Sequence, residues 1–429
     1  MKWSRFNFLT KCDDNKYVLY NSYTNNLMEI DETSGLYLEQ LKSGNFKKID
    51  EELINELKDE NILVDDDDDD LIYQKVKLSR LNTRFRSDII YLTIVPSLAC
   101  NFSCPYCFES EVNERKVMTD SIQADLIDYI KSLRNLHHLS IDWYGGEPLL
   151  AFDIISSLMN RIRGLDIDSI SSTIITNGYL LDANKILQLK ALGLNRMQIT
   201  IDGLESTHNQ RRPHKTNSDS FQKIIENIIL IDKLFPELEV NIRVNIDKNN
   251  EQEFFAVNEY ISKMVTGQNI YTYPAYVTDY TSCNTSQCLL NRIDQAEFAL
   301  SNADKYPFEK YYYPRTRISE CTARYANSFV IGPDGALYRC WCDVGNREKI
   351  CGTLKDGIIN TNLYTKYMTD EDPLFDKDCR QCSYFPICDG GCVLRRFNNH
   401  GNKDYSLCTI QKEYLEGFMK LYRKKHVII

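Results

Sequence analysis

Three cysteines in the stretch CNFSCPYCFE, Cys100, Cys104 and Cys107, are spaced C-x3-C-x2-C. Thiolates are soft ligands that suit zinc, copper(I) and iron–sulfur clusters. A closed structural metal site takes four protein ligands, and a [4Fe–4S] cluster normally takes four cysteines. This stretch supplies three. Zinc could draw its fourth ligand from elsewhere in the chain, so spacing alone leaves zinc open. A cluster held by three cysteines keeps one iron exposed, ready to bind a small molecule and exchange an electron with it. The missing ligand therefore points to a reaction centre. A second group lies downstream: Cys379, Cys382, Cys388 and Cys392 run C-x2-C-x5-C-x3-C, with Cys408 beyond them and Cys321 and Cys340 before. Zinc ribbons also use C-x2-C pairs, so zinc stays open here too.

The first three cysteines follow DIIYLTIVPS, an apolar run that reads as a buried strand. From about residue 88 to 310, strand and helix patterns alternate. HLSIDWYGG, SSTIITNG, NRMQITIDG, LEVNIRVNID and NIYTYPAYV read as strands. TDSIQADLIDYIKSLRN, FDIISSLMNRIRG, ANKILQLKALG, FQKIIENIILIDKLF and EQEFFAVNEYISKMV carry apolar residues at helical spacing, and Thr119 or Asp120 is a natural N-cap for the first. This alternation predicts an α/β fold with a parallel sheet, open or curled toward a barrel. Functional residues then belong at the C-terminal ends of the strands, where the cysteines lie.

Residues 1–75 differ in character. YVLYNSYTNNLMEID predicts a hairpin turning at Asn25-Asn26. ETSGLYLEQLKSG and KIDEELINELKDEN read as short helices, followed by an apolar ILV. Together they predict a small winged-helix-like module. The acidic run Asp65–Asp70 reads as a solvated linker or loop. Residues 316–429 hold nine of the 15 cysteines. There, NSFVIGPDGALYRC predicts a hairpin at Pro333-Asp334-Gly335, and TIQKEYLEGFMKLYRKK predicts a closing helix. A section so rich in cysteine and so short of regular elements is expected to fold around metal.

Composition narrows the function classes. The 429 residues are 43% hydrophobic with a net charge of −10. No basic stripe offers a phosphate backbone a footprint, so no nucleic-acid partner is expected. The N-terminal residues lack the apolar core of a signal peptide, and no run of apolar residues is long enough to span a bilayer. A soluble, cytoplasmic protein without a membrane partner is expected. In a reducing compartment its cysteines read as ligands or catalytic groups rather than disulfides.

C-x3-C-x-aromatic-C, with Tyr106 as the aromatic, resembles the signature of radical S-adenosylmethionine (SAM) enzymes. The resemblance implies a partial (β/α)6 TIM-like barrel in which the amino and carboxylate groups of SAM fill the cluster's fourth place. An electron from the cluster then splits SAM, and the resulting 5′-deoxyadenosyl radical abstracts hydrogen from the substrate. WYGGEP, residues 143–148, ends the second strand and resembles the GGEP motif that holds SAM's amino group. In that reading Gly145 and Gly146 let backbone approach a ligand, Glu147 pairs with the ammonium, and Pro148 fixes the turn. By the same resemblance Asn177 of TNG reaches the SAM ribose and Thr200 of TIDG faces SAM. Arg212 of HNQRRPH pairs with SAM's carboxylate, with Arg211 or Arg243 as alternatives. Ordinary strand-end turn chemistry is the competing account of each.

The full downstream order, C…G-x4-C…C-x2-C-x5-C-x3-C…C, resembles the SPASM domain of peptide- and protein-modifying radical SAM enzymes. It implies two auxiliary [4Fe–4S] clusters, three in all. A distal cluster would take Cys379, Cys382, Cys388 and Cys408. A proximal cluster would take Cys321, Cys340 and Cys392, with an open iron or with Cys342 or Cys351 closing it. Cys12, Cys283, Cys288, Cys342 and Cys351 are otherwise read as buried free thiols. Relatives of this architecture include anaerobic sulfatase maturases and maturases of ribosomally made peptides. In the former an aspartate follows the G-x4-C cysteine; here that position is Trp341, with Asp343 close by. The resemblance therefore implies a peptide maturase forming a thioether or carbon–carbon crosslink, with formylglycine formation as the alternative. Its partners would be a precursor peptide, whose leader adds as a strand to the N-terminal module, and a reductant such as flavodoxin or ferredoxin. A colourless zinc-ribbon binding protein is the rival from another class.

Overall fold

The computed structural model describes residues 1–46, 50–107, 109, 116–278, 288–370, 372–398 and 407–426. The chain divides into two compact units, one of Met1–Phe85, Asn291–Tyr325 and Thr369–Ile429, the other of Arg86–Leu290 and Ala326–Met368.

The first unit contains strands β1 (Lys2–Trp3), β2 (Asn7–Lys11), β3 (Tyr17–Asn21), β4 (Leu27–Ile30) and β5 (Leu63–Val64). β1 pairs antiparallel with β5, and β2-β3-β4 form an antiparallel meander. The expected hairpin forms, and Asn25 takes the left-handed conformation at its turn, φ 63°, which asparagine tolerates. Alternation along the strands serves two cores. Leu9, Tyr17 and Leu19 pack on Leu38, Leu41 and Leu57 of helices α1 (Glu32–Lys42) and α2 (Glu51–Asp59). Val18 and Tyr20 face the other way, onto Ile387 and onto Leu415 and Met419 of helix Leu415–Lys425. Asp31 and Asp50 cap α1 and α2 by accepting from first-turn backbone N–H groups.

The acidic run is not a free linker. Helix α3, Asp68–Arg84, begins inside it. Asp69 is only 3% exposed and accepts from Ser4 Oγ at 2.7 Å and the Arg5 backbone N–H at 3.2 Å. Asp70 pairs with Arg5 and Arg380. Carboxylates are stabilised where a helix presents its unpaired N–H groups and the positive end of its dipole. Mutual repulsion, the basis of the linker expectation, is outweighed by these donors and cations.

The second unit holds the parallel sheet. Strands β6 (Ile89–Ile94), β7 (His138–Trp143), β8 (Ser169–Thr176), β9 (Arg196–Ile201), β10 (Glu239–Ile246) and β11 (Ile270–Tyr276) lie in the order β11-β10-β9-β8-β7-β6, all parallel. Between them run α4 (Asp120–Ser132), α5 (Phe152–Ile162), α6 (Ala183–Ala191), a short α7 (Glu205–Arg211), α8 (Ser220–Leu234) and α9 (Glu253–Met264). Thr119 caps α4, accepting from Ile122 N–H. Ile199, Ile201, Val240, Ile242, Val244 and Ile246 have essentially no exposed surface, as expected of strands covered on both faces. The hairpin at Pro333–Gly335 forms between β12 (Ser328–Ile331) and β13 (Ala336–Tyr338). β12 also runs parallel to β6, from Ser328 opposite Tyr91 to Ile331 opposite Ile94. With β14 (Gly352–Thr353) and β15 (Gly357–Ile358) it extends the sheet to ten strands. An edge strand as apolar as β6 needs its backbone groups paired, and β12 pairs them. No helix among the described residues is long and apolar enough to cross a membrane.

The first unit is stitched by buried charge. Arg84, at the end of α3, meets Glu320 at 2.7 Å and Asp372 at 2.6 Å, and all three side chains are at most 1% exposed. Arg324 also reaches Asp372. Removing one partner of such a pair leaves an uncompensated buried charge, at a cost of about 3–5 kcal/mol. Asp372→Ala should therefore speed amide hydrogen exchange in the C-terminal half of α3 while leaving β7–β10 protected as before. Unchanged exchange in α3 would mean that the network contributes nothing.

Candidate active site

The cysteine loop leaves the C-terminal end of β6 and is held by its backbone. Ser103 N–H donates to Pro213 O at 3.0 Å, Lys215 N–H to Asn101 O at 2.9 Å, and Lys215 Nζ to Cys100 O at 2.7 Å. Cys107 N–H closes a turn on Cys104 O at 3.2 Å, and Phe102 N–H points to Cys100 Sγ at 3.4 Å. The three thiols are partly exposed. Burial pushes Cys100 up to about 12, Cys107 up to about 11, and Cys104 upward against the pull of Arg212. Such thiols hold their protons at neutral pH, and a metal centre that takes them as ligands must displace those protons. Among the described residues, no three His, Cys, Asp or Glu side chains close on a single metal ion. The fit to an iron–sulfur cluster rests on the donor set, three soft thiols on one short loop.

Glu147 sits at the end of β7 with no exposed surface. Its Oε1 accepts from Thr176 Oγ1 at 2.6 Å and Leu149 N–H at 3.0 Å; its Oε2 accepts from Asn177 N–H at 2.7 Å. Burial raises its pKa, and these three donors oppose the shift. The carboxylate therefore joins the end of β7 to the end of β8. Asn177 carries the linkage on, donating from Nδ2 to Asn101 Oδ1 at 2.8 Å within the cysteine loop. The expected ammonium contact of Glu147 has to share a carboxylate already engaged by protein donors. Ligand approach was one reason to expect Gly145-Gly146, and the fold supplies another. A Cβ on Gly145, whose φ is +120°, would stand 2.5 Å from Ser97 O, and one on Gly146 2.5 Å from Ala99 O. The pair admits the backbone that leads into the cysteines, and Glu147 N–H donates to Ala99 O at 2.9 Å. Pro148 opens the 3-10 turn Pro148–Ala151.

The ends of β9 and β10 hold the other side of the loop. Arg212 Nη1 donates to the Tyr106 hydroxyl at 2.8 Å, and Asn245 Nδ2 approaches it at 3.3 Å. Arg211 lies over the Tyr106 ring at 5.5 Å and pairs with Asp202 at 3.2 Å and Asp247 at 2.7 Å. Arg243 instead bonds Asn245. Thr200 is 8% exposed and stands in register with Arg243. His208 is fully buried, and burial depresses its pKa to about 3, so it is neutral at working pH. Asn101 Nδ2, Asp202 Oδ1, His208 Nε2 and Arg212 Nε are buried without a hydrogen-bond partner among the described residues. Asp202 Oδ1 still faces Arg212 Nη1 at 3.7 Å, and the spare donors of Asn101 and Arg212, gathered at strand ends beside three thiols, suit a polar ligand with a carboxylate such as SAM.

The downstream cysteines fall in both units. Cys321, Cys379, Cys382, Cys388, Cys392 and Cys408 belong to the first, Cys340, Cys342 and Cys351 to the second. Around the distal set, Cys382 N–H bonds Cys379 O at 3.1 Å, Gly390 N–H points to Cys388 Sγ at 3.4 Å and Lys412 Nζ to Cys408 Sγ at 3.5 Å. Burial raises Cys379 to about 12. Cys340 and Cys342 hydrogen-bond to each other, which together with burial raises the Cys340 pKa. Cys351 is wholly buried and donates its S–H to Leu337 O at 3.1 Å, the behaviour of a free thiol. Cys12 is buried in the apolar cluster with Val18 and Tyr20. Cys288 is partly exposed, and Cys283 lies outside the described residues.

Sequence reasoning missed several residues of this site. Thr176 anchors Glu147; Asp202, Asp247 and Asn245 orient the arginines and Tyr106; Asn101 receives Asn177. Their strand-end positions were the available signal. Trp341 was also missed as a neighbour of the site: its ring packs 4.7 Å from that of Tyr144, the residue before Gly145. Asp343 is buried and accepts from the Tyr367 hydroxyl.

Residues 94–261 match the family model of the Radical SAM superfamily. The chain is similar to the radical SAM cyclopropyl synthase TigE of Paramaledivibacter caminithermalis, 22% identical over 97% of this chain and 95% of that protein. It is also similar to a cysteine-type anaerobic sulfatase-maturating enzyme of Clostridium novyi, 23% identical over 74% of this chain and 91% of that protein. Among solved structures, native anSMEcpe with bound AdoMet and Cp18Cys peptide shares the fold at a TM-score of 0.61 and 21% identity, covering 78% of this chain and 97% of that one. Streptococcus suis SuiB bound to precursor peptide SuiA does so at a TM-score of 0.52 and 16% identity, covering 95% of this chain and 99% of that one. The match spans the strand ends and the cysteine loop described above, and residues 94–261 of this chain are a radical SAM domain.

Proposed function

We propose that the chain is a radical SAM maturase that crosslinks a precursor peptide through a thioether or carbon–carbon bond. The observation that carries this reading is the three-thiol loop, tied to the ends of β7–β10 by Glu147, Asn177 and Tyr106 and ringed by unpartnered polar atoms. Cys100, Cys104 and Cys107 would hold a [4Fe–4S] cluster, which with SAM supplies a 5′-deoxyadenosyl radical. In this reading Arg212 presents its unpartnered Nε to SAM's carboxylate while Nη1 stays on Tyr106. Asn101 Nδ2 and Asn177 serve the ribose side. Glu147 acts first as the clasp of the strand ends and shares its remaining lone pair with the ammonium. Thr200 lines the same rim.

Cys379, Cys382, Cys388 and Cys408 would hold the distal auxiliary cluster. The buried, hydrogen-bonded thiol of Cys351 counts against a ligand role for it. In the N-terminal module both faces of the β2-β3-β4 sheet are covered by apolar side chains, and among the described residues β2 and β4 each pair with β3 alone. A leader peptide would therefore join at an edge, as an added strand. Similarity to a sulfatase-maturating enzyme keeps formylglycine formation as the second reading. Trp341 in place of the expected aspartate and the engagement of Asp343 with Tyr367 favour the first.

Two experiments test the proposal. Replacing Cys100, Cys104 and Cys107 by alanine should remove one cluster's worth of iron and abolish 5′-deoxyadenosine release, with the auxiliary iron retained. Full iron content in that variant would refute the assignment. Anaerobic reaction with candidate peptides should give a product lighter by two hydrogens, resistant to thiol alkylation if the link is a thioether and still alkylated if it is carbon–carbon; an aldehyde in a sulfatase-type peptide would favour the second reading.

Glu147→Gln should weaken SAM binding. An amide removes the negative charge that would answer SAM's ammonium, and a hydrogen bond to a charged group is worth about 1.5–3 kcal/mol, roughly 10- to 140-fold in affinity at about 1.4 kcal/mol per tenfold. Equilibrium dialysis of the reconstituted protein reads this directly, and unchanged affinity would remove Glu147 from the site.

A further inference from the structure

Arg80 lies in α3 with no exposed surface. Its Nε donates to Arg317 O at 2.9 Å, and its Nη2 to Phe385 O at 2.9 Å and Pro386 O at 3.4 Å. Its Nη1 is buried without a hydrogen-bond partner among the described residues. Unlike Arg84, four residues on, it forms no ion pair there. A full positive charge and a spare N–H are thus held in the interior with only carbonyls in hydrogen-bond contact among the described residues, and no carboxylate closer than electrostatic reach. Such an arrangement is costly unless a negative group completes it.

The surroundings indicate that group. Phe385 and Pro386 belong to the turn Phe385–Ile387, between Cys382 and Cys388. The Phe385 carbonyl accepts from both Arg80 Nη2 and the Cys388 N–H, the latter at 3.3 Å. The guanidinium carbon stands 4.7 Å from the centre of the Phe385 ring. Cys379 and Cys382 pack against the apolar cluster of Tyr73, Val76, Leu374 and Phe385. Tyr73, Val76 and Arg80 follow one another at the spacing of a single face of α3, so that face meets the cysteine-bearing turns. Burial lowers the pKa of the guanidinium, and Glu320, Cys388, Asp389 and Cys379 lie within electrostatic reach and oppose that fall.

We propose that Arg80 is a positioning residue that sets the reduction potential of an iron–sulfur cluster held by Cys379, Cys382, Cys388 and Cys408. The inference rests on the reading of those four cysteines given above. A four-thiolate [4Fe–4S] cluster is negatively charged, and one electron from a flavodoxin- or ferredoxin-type donor makes it more so without any bond forming or breaking. A fixed cation close to the cluster stabilises the more negative state, which raises the potential. The carbonyl contacts of Arg80 meanwhile hold the turn that carries Cys388.

The test uses the full chain with Cys100, Cys104 and Cys107 replaced by alanine, so that only auxiliary clusters report. EPR-monitored titration with dithionite should show one transition moved to lower potential in Arg80→Gln. The expected change is at least tenfold in the reduction equilibrium, about 59 mV for a one-electron couple. Arg80→Lys keeps the charge and should recover most of it. An unchanged potential in Arg80→Gln, or equal shifts in both variants, would overturn the inference. If replacing Cys379 and Cys382 by alanine removes no iron, the reading of the site fails first and takes the inference with it.

Should Arg80→Gln not assemble the cluster, the parent labelled with 15N-arginine provides the second measurement. Its reduced cluster should show a 15N hyperfine coupling that persists in labelled Arg317→Lys, Arg380→Lys, Arg395→Lys and Arg396→Lys, the other arginines near these turns. Absence of that coupling would equally overturn the inference.

Discussion

A carboxylate with no exposed surface holds the strand ends together. Glu147 ends β7, yet all its visible partners are donors from the chain itself: Leu149 just beyond it, and Thr176 and Asn177 at the end of β8. Burying an acid this completely is unfavourable unless hydrogen bonds replace the lost solvent, and here three do. The arrangement is stiff, because moving β8 relative to β7 would strand either the acid or its donors. That stiffness reaches the cysteine loop by two short routes. One is the Asn177–Asn101 side-chain bond; the other is the Glu147 N–H on Ala99 O. A loop of three thiols thus inherits the rigidity of the parallel sheet without containing a regular element of its own.

The opposite wall uses charge in place of a single clasp. Arg211 is balanced by Asp202 and Asp247, while Arg212, its neighbour, turns to the Tyr106 hydroxyl. Adjacent arginines repel one another, and the two aspartates from different strands make their proximity tolerable. Arg212 is then left with an unpartnered Nε. The Glu147 side is satisfied by three donors of the chain, with a spare Nδ2 left on Asn101; the arginine side carries further unfinished polar valences. The asymmetry suits a site whose rigid side fixes a metal centre and whose open side waits for a charged ligand.

Much of this was legible beforehand, for identifiable reasons. The parallel strands were readable because double burial turns them into Val, Ile and Leu runs such as QITI and NIRVNI. The cysteine loop and GGEP turn were readable because strand-to-loop junctions in such sheets carry function. What escaped was non-local. Nothing in DDDDDD reports that Ser4 and Arg5 will fold back to satisfy Asp69, so the run looked solvated although it starts a helix. Nothing in SFVI reports that its partner is IIYLTI, far away in sequence. Charge runs and strand patterns describe a segment's own preferences; pairing depends on which groups other segments leave unsatisfied.

The same accounting explains why α3 carries two buried arginines on one side. Arg84 is answered by Glu320 and Asp372, so it closes its unit by ordinary charge pairing. Arg80, one turn earlier, donates to three carbonyls and forms no ion pair among the described residues, with Glu320 and Asp389 only within electrostatic reach. If α3 served packing alone, a leucine or methionine at position 80 would fill the space without the desolvation cost. A guanidinium held against the Cys382–Cys388 turn fits the proposal that those cysteines bind a negatively charged group. The contrast between two arginines a single turn apart separates a charge paired within the fold from one that the proposed cluster would answer.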